Sequence, residues 1–189
     1  MTPLEQLAVS LVDEPGHVLH VRRLALELFD ATRPLHGLDA SARRLLEAAA
    51  LLHDIGWRVS PERHHKASRD RILGLELPGF DEAARRMTAC IARYHRGSDP
   101  DPSHKVYHDL DVEQRTVVRR LAAVLRLADG LDRSHQFATT LAEIHCDSNT
   151  LHIRLRQRTA CPEDLEGALK KSGLFERVFA LTITIEIVP

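Results

Sequence analysis

"ALLHDIGWRVSPERHHKASRD", residues 50–70, decides how this chain reads. An apolar helical run carrying Leu45, Ala49 and Leu52 ends in the doublet His53-Asp54, and a second doublet, His64-His65, follows soon after Pro61. Imidazole and carboxylate cost free energy to bury without partners, so their placement at the end of an apolar stripe asks for a compensating interaction. A metal ion is one such partner.

Outward from this stretch, apolar residues recur at three- and four-residue steps up to about residue 135, with capping residues at the boundaries. Thr2-Pro3 opens a first helix. A second begins near Pro15 and runs to a stop at Gly37, and Asp39 or Ser41 caps a third that Gly56 ends. Ser60-Pro61 reads as a cap with proline at the first helical position, starting a helix with His64, His65, Ser68 and Ile72. Another runs from Asp81 to His95, a loop "RGSDPDPSHK" follows, and the last long helix opens near residue 111 and leads into "ADGLDRSH".

After that the period changes to two. "LAEIHCDSNTLHIRLR" reads as a β-hairpin about Ser148-Asn149, a short helix spans Pro162 to about Lys171, and "FALTITIEIV" alternates Leu181, Ile183, Ile185 and Ile187 against polar residues. The expected fold is mainly α, a helical bundle with a small C-terminal antiparallel β-sheet plus one helix. Residues 1–135 form the core and 136–189 an α+β tail packed on it, as a single compact domain.

The 189 residues, 43% hydrophobic and 28% charged, suit one soluble globular domain with a substantial core. A formal charge of −1 gives no general attraction to nucleic-acid duplexes or anionic membranes, so a polyanion must be met by a local pocket. The amino terminus lacks a signal-peptide pattern and no apolar run is long enough to span a bilayer, which leads to the expectation of a cytoplasmic protein. Cys90, Cys146 and Cys161 are odd in number and widely spaced, which suggests neither a disulfide framework nor a thiolate zinc site. The 12 histidines are the compositional anomaly.

His17, His53, His95 and Asp129 each fall on the apolar face of a different helix, at four-residue steps from Val21, Ala49, Ile91 and Leu125. Taken singly, each is as easily a hydrogen-bonded core residue. Their convergence with Asp54 points to a site of imidazole and carboxylate without thiolate. Such a site suits a divalent ion, with Mn, Fe, Ni, Zn and Mg not distinguished, and metal-assisted hydrolysis is the chemistry it implies.

His17, the doublet in "LLEAAALLHDIGW", and Asp129 in "RLADGLDRSH" resemble the H…HD…D signature of the HD superfamily of metal-dependent phosphohydrolases. More narrowly, "HVRRLALELFD", "RHHKASRDRIL", "LPGF", "ARYHR", "LAAVLRLADGLDRSH" and "LFERVF", in that order along nearly the whole chain, resemble the C-terminal HD-type region of the exopolyphosphatase and guanosine pentaphosphate phosphohydrolase (Ppx/GppA) family. The resemblance implies an HD-domain bundle in which His17, His53, Asp54 and Asp129 hold one metal, Asp54 bridging to a second or orienting the nucleophilic water. His64 or His65, one of the two, joins His95 as in two-metal members. Asp54, His53 and Lys66 are then the catalytic candidates, and Lys66, Arg96 and Arg133 the candidates for substrate phosphate. Asp132 is a candidate either for holding a ligand imidazole through its other nitrogen or for a helix-end ion pair with Arg133. In full-length members of that family the active site lies in an N-terminal actin-like region that this sequence lacks, and no glycine-rich phosphate loop replaces it.

Three functions compete. The first is a stand-alone metal-dependent phosphohydrolase acting on a phosphate ester or anhydride of a nucleotide, a signalling nucleotide or a short polyphosphate. The second is a non-catalytic module that binds polyphosphate or a nucleotide. The third is an assembly piece, a homodimer included, that offers the edge of the terminal strand "FALTITIEIV" to a partner.

Overall fold

The computed structural model describes residues 1–147 and 149–189. Helix α1, Pro3–Leu11, opens with a capping box in which the Thr2 hydroxyl accepts from Glu5 N and the Glu5 carboxylate accepts from Thr2 N. Helix α2, Pro15–Ala31, starts with proline at its first position and buries His17, Val18, Val21, Leu24, Ala25 and Leu28. It stops earlier than the sequence suggests. The Thr32 hydroxyl turns back onto the Leu28 carbonyl, and the separate short helix α3, Arg33–His36, ends at Gly37, whose φ of 61° is left-handed.

Asp39 caps α4, Ala40–Leu52, by accepting from Ala42 N at 3.0 Å. This helix ends at Leu52 with His53 as its cap, four residues before Gly56, where the sequence reading put its end. Gly56 serves a different purpose. A β-carbon there would lie 2.3 Å from Ser68 N and 2.5 Å from His64 O, so only glycine allows the next helix to lie on the His53-Asp54 turn. Gly56 N also donates to the Ser68 hydroxyl at 2.9 Å, which fixes that approach.

That next helix, α5, His64–Leu73, begins three residues after Pro61 because residues 60–63 form a turn, with Arg63 N bonded back to Ser60. Helix α6, Glu82–Arg93, capped by Asp81, packs on α4 and α5. The short α7, Lys105–His108, precedes α8, Val112–Gly130, which Asp111 and Gln114 open with a second capping box. Helix α8 touches α2, α4 and α6, so His17, the His53-Asp54 turn and Asp129 share one interior.

Strands β1, Thr139–Cys146, and β2, Thr150–Gln157, form the expected antiparallel hairpin, with a bulge between Leu141 and Glu143. The expected turn about Ser148-Asn149 falls on Ser148, which lies outside the described residues. Two helices follow where one was expected: α9, Pro162–Lys171, and α10, Gly173–Phe179, both packed on α8. Strand β3, Thr182–Ile187, then pairs with β2 in parallel register, Leu151 opposite Ile183. The sheet, in the order β1-β2-β3, is therefore mixed and not all antiparallel. The two-helix connection carries the chain back to the starting end of β2, and a crossover of that length yields a parallel pair.

The three cysteines are free, two of them buried. Among the described residues no helix is long and apolar enough to cross a membrane.

Candidate metal centre

Four imidazoles meet at the junction of α2, the turn after α4, the start of α5 and the end of α6. His17, His53, His64 and His95 are all at most 4% exposed. Three of them fix themselves in the same way. The Nδ1 atoms of His53, His64 and His95 donate to the carbonyl oxygens of Ala50, Pro61 and Ala92, each three residues back, at 2.8, 2.8 and 2.7 Å. His17 Nδ1 lies 2.8 Å from Asp132 Oδ2. Carbonyl and carboxylate oxygens only accept, so every Nδ1 carries its proton and every Nε2 is left to face inward.

The Nε2 atoms then approach one another in pairs. His17 and His53 are 3.3 Å apart at Nε2, and His64 and His95 are 3.1 Å apart. Asp54 stands between the pairs. Its Oδ1 lies 3.3 Å from His64 Nε2, 3.6 Å from His53 Nε2 and 3.8 Å from His95 Nε2, and its Oδ2 lies 3.9 Å from His17 Nε2. Asp54 Oδ1 is nonetheless buried without a hydrogen-bond partner. An orphaned carboxylate oxygen ringed by imidazole nitrogens is the donor set that a divalent cation satisfies. Among the described residues two overlapping groups have ligand atoms within 4.8 Å of one another: His17, His53 and Asp54, and Asp54, His64 and His95.

Asp129, buried at the end of α8, presents Oδ1 at 3.5 Å from His17 Nε2 and 3.7 Å from His53 Nε2. Its other oxygen, Oδ2, is paired with the Lys171 ammonium. Burial tends to raise the Asp129 carboxyl, but Lys171, His17 and His53 hold it well below the usual carboxylate range. Burial opposes charge on His17 as well, yet hydrogen bonds to Asp129 and Asp132 bring it up to about 10. His53 also moves upward, against its own desolvation, under Asp54 and Asp129. Desolvation wins at His64 and His95, which are pushed down, His95 strongly. The charge of the site thus divides: the His17 and His53 side attracts a proton and the His64 and His95 side sheds one.

Of the two adjacent candidates, His64 turns inward and His65 does not. Neighbouring helical positions differ by about 100° in direction, which sends His65 toward Gly97, with its ring centroid 6.5 Å from that of His95. Burial and the nearby Arg96 guanidinium depress its imidazole to about 4. Lys66 is a further step round, about 200° from His64. It is exposed and borders a groove with Ser60, Arg63 and Arg69, and it does not line the cleft that holds Asp54, His64 and His95. The catalytic and phosphate-binding roles expected of Lys66 therefore do not fit its place. Arg96 and Arg133 both line the cleft of about 350 Å³ that opens onto Asp54, His64 and Asp129. A larger groove, about 520 Å³, lies elsewhere, between Leu45, Phe80 and Met87, and no imidazole lines it.

Several cleft residues carried no sequence signal. Trp57 stands over His64 with ring centroids 4.6 Å apart. His135, in the left-handed region at φ 56°, stacks on His17 at 3.9 Å and pairs with Glu14. Lys170 and Lys171 reach the same cleft from α9 in the tail. Periodicity could not find them, because Trp57 and His135 lie in turn segments outside the helices and the positions of Lys170 and Lys171 depend on how the tail docks. Asp132, by contrast, sits where the sequence suggests, with Oδ2 on His17 and Oδ1 accepting from Phe137 N at 2.9 Å.

Residues 5–171 match the family model described as Ppx/GppA phosphatase, domain III. The chain belongs to that family. A similar curated protein is the guanosine-5'-triphosphate,3'-diphosphate pyrophosphatase of Pseudoalteromonas translucida (strain TAC 125), 29% identical over 84 residues. Those residues are 44% of this Ppx/GppA domain III chain and 16% of that protein, so the chain spans a small part of its relative's length. The family match contains the whole cluster, from His17 to Lys171, and leaves out α10 and β3.

Proposed function

We propose that this Ppx/GppA domain III chain is itself an HD-type, metal-dependent phosphohydrolase. It cleaves a phosphate ester or anhydride of a nucleotide, a signalling nucleotide or a short polyphosphate. The observation that carries this reading is the pairing of buried Nε2 atoms at 3.3 and 3.1 Å around an unpartnered Asp54 oxygen, with every Nδ1 already engaged elsewhere. At His64 and His95 two lone pairs meet, which calls for a cation between them, and at His17 and His53 a proton takes that place until a metal displaces it.

His17, His53, Asp54 and Asp129 would hold one divalent ion, and His64 and His95 would join Asp54 in holding a second. A bound ion supplies Lewis acidity, acidifying a water toward a pKa of about 7 and drawing charge from a phosphoryl oxygen. The rest falls to the protein. Asp54 orients the attacking water, because its carboxylate is the one group common to both clusters. Arg96 and Arg133 meet substrate oxygens at the mouth, where guanidinium geometry suits phosphate. Trp57 shields one side of His64 from solvent.

The second reading, a module that binds polyphosphate or a nucleotide without turning it over, draws support from the same cations at the mouth. Turnover separates the two. The purified protein is expected to carry a divalent transition metal and to release phosphate from at least one compound in a panel of nucleotides, guanosine polyphosphates and short polyphosphates, with loss of release in Asp54→Asn. A metal-free, inert chain that still binds polyphosphate would replace the hydrolase with the binding module. The division into a core, 1–135, and a tail, 136–189, that fold as one unit belongs to the same reading.

A further inference from the structure

The position of Lys171 has no account in the chemistry above. Its ammonium pairs with Asp129 Oδ2, while Asp129 Oδ1 faces His17 and His53. The carboxylate is thus split between a resident lysine and the place where the first cation would be held. Both cannot keep it on equal terms, since two positive charges on one buried carboxylate repel strongly at short range. The lysine is the one that can leave. Its side chain is 20% exposed, sits on a flexible four-carbon stem, and lines the cleft with Arg96, Arg133 and Lys170.

The backbone beneath it cannot follow. A β-carbon on Gly130 would lie 2.8 Å from both Ala168 Cα and Gly167 O, and one on Gly167 would lie 2.6 Å from Gly130 O. Helices α8 and α9 are therefore in direct backbone contact just where Asp129 and Lys171 face each other, and any rearrangement is confined to the lysine stem.

We propose that Lys171 is a phosphate-binding residue held in reserve on Asp129 and handed to the substrate when a divalent cation takes that carboxylate. The inference rests on the metal site proposed above. It makes the tail a supplier of the cleft's mobile charge. It also sets the order of events: cation first, phosphate second.

The test uses the full chain with Mn²⁺ and inorganic phosphate as probes. Chelator competition should show Lys171→Met binding Mn²⁺ about tenfold more tightly than wild type, because a like charge beside the site is gone. The Mn²⁺-loaded variant should also bind inorganic phosphate about tenfold more weakly, having lost a charged donor. A purely structural lysine would not move the two affinities in opposite directions. Lys171→Gln, which keeps a polar tip, serves the same comparison should the methionine variant fold poorly. Wild type that binds Mn²⁺ together with variants that bind it equally or more weakly overturns the handover alone. Wild type that binds neither Mn²⁺ nor Zn²⁺ removes the metal reading and the handover with it.

Discussion

His64 Nε2 and His95 Nε2 face each other across 3.1 Å although both rings have their Nδ1 protons fixed on backbone carbonyls. With burial also pushing both imidazoles down, the pair meets lone pair to lone pair. Replacing Asp54, which approaches both, with Asn should lower divalent-metal affinity by more than about a hundredfold, the upper end of what an outer partner alone contributes. Elemental analysis after gel filtration and phosphate release from the substrate panel would check it.

Asp132 acts through His17. It is fully buried and holds the His17 ring by Nδ1, so Asp132→Asn should weaken metal binding about 10–100-fold. The fold should survive, because the amide can still accept from Phe137 N. Chelator competition alongside far-ultraviolet circular dichroism separates the two effects.

His17 gives the metal-free protein a pH signature. Its folded value, raised to about 10, stands above the ordinary 6.5. A raised value contributes stability that is fully present below about 6.5 and lost as pH climbs through about 10. In EDTA the thermal midpoint should therefore fall between pH 7 and pH 10, and His17→Asn should flatten that slope. Divalent metal must displace this proton, so binding near pH 7 should release protons, which calorimetry in buffers of different ionisation enthalpy would register.

Gly56→Ala forces a β-carbon to within 2.3 Å of the Ser68 backbone, with no flexible side chain to yield. A loss of about 3 kcal/mol in urea unfolding is expected, at the upper end of overpacking costs. Metal affinity should drop with it, as α5 carries His64 away from Asp54.

Two of the three cationic candidates, Arg96 and Lys66, should behave differently. Arg96→Ala, at the cleft, is expected to raise KM about tenfold through a lost charge-assisted contact. Lys66→Ala, outside that cleft, should leave kcat and KM unchanged. Steady-state kinetics on the best compound of the panel decides both.

The helical core was legible because its signals are local. Apolar spacing placed His17, His53, His95 and Asp129 inward, and the caps Thr2, Asp39, Asp81 and Asp111 stand where helices begin. Adjacent residues were harder: His64 and His65 look alike in sequence, and only the start of α5, delayed to residue 64 by the turn after Ser60, decides which turns inward. The parallel pairing of β3 was hidden because strand period carries no direction. Lys171 was hidden because a contact between residues 42 positions apart leaves no periodic trace.

The histidines differ in what aims them. Those at 53, 64 and 95 are each steadied by a carbonyl of their own turn, whereas His17 is steadied by a carboxylate 115 positions away. Loosening the segment after α8 would thus release His17 while the other three rings keep their bearing. During gradual denaturation, an ion seated by Asp54, His64 and His95 should be the last to escape.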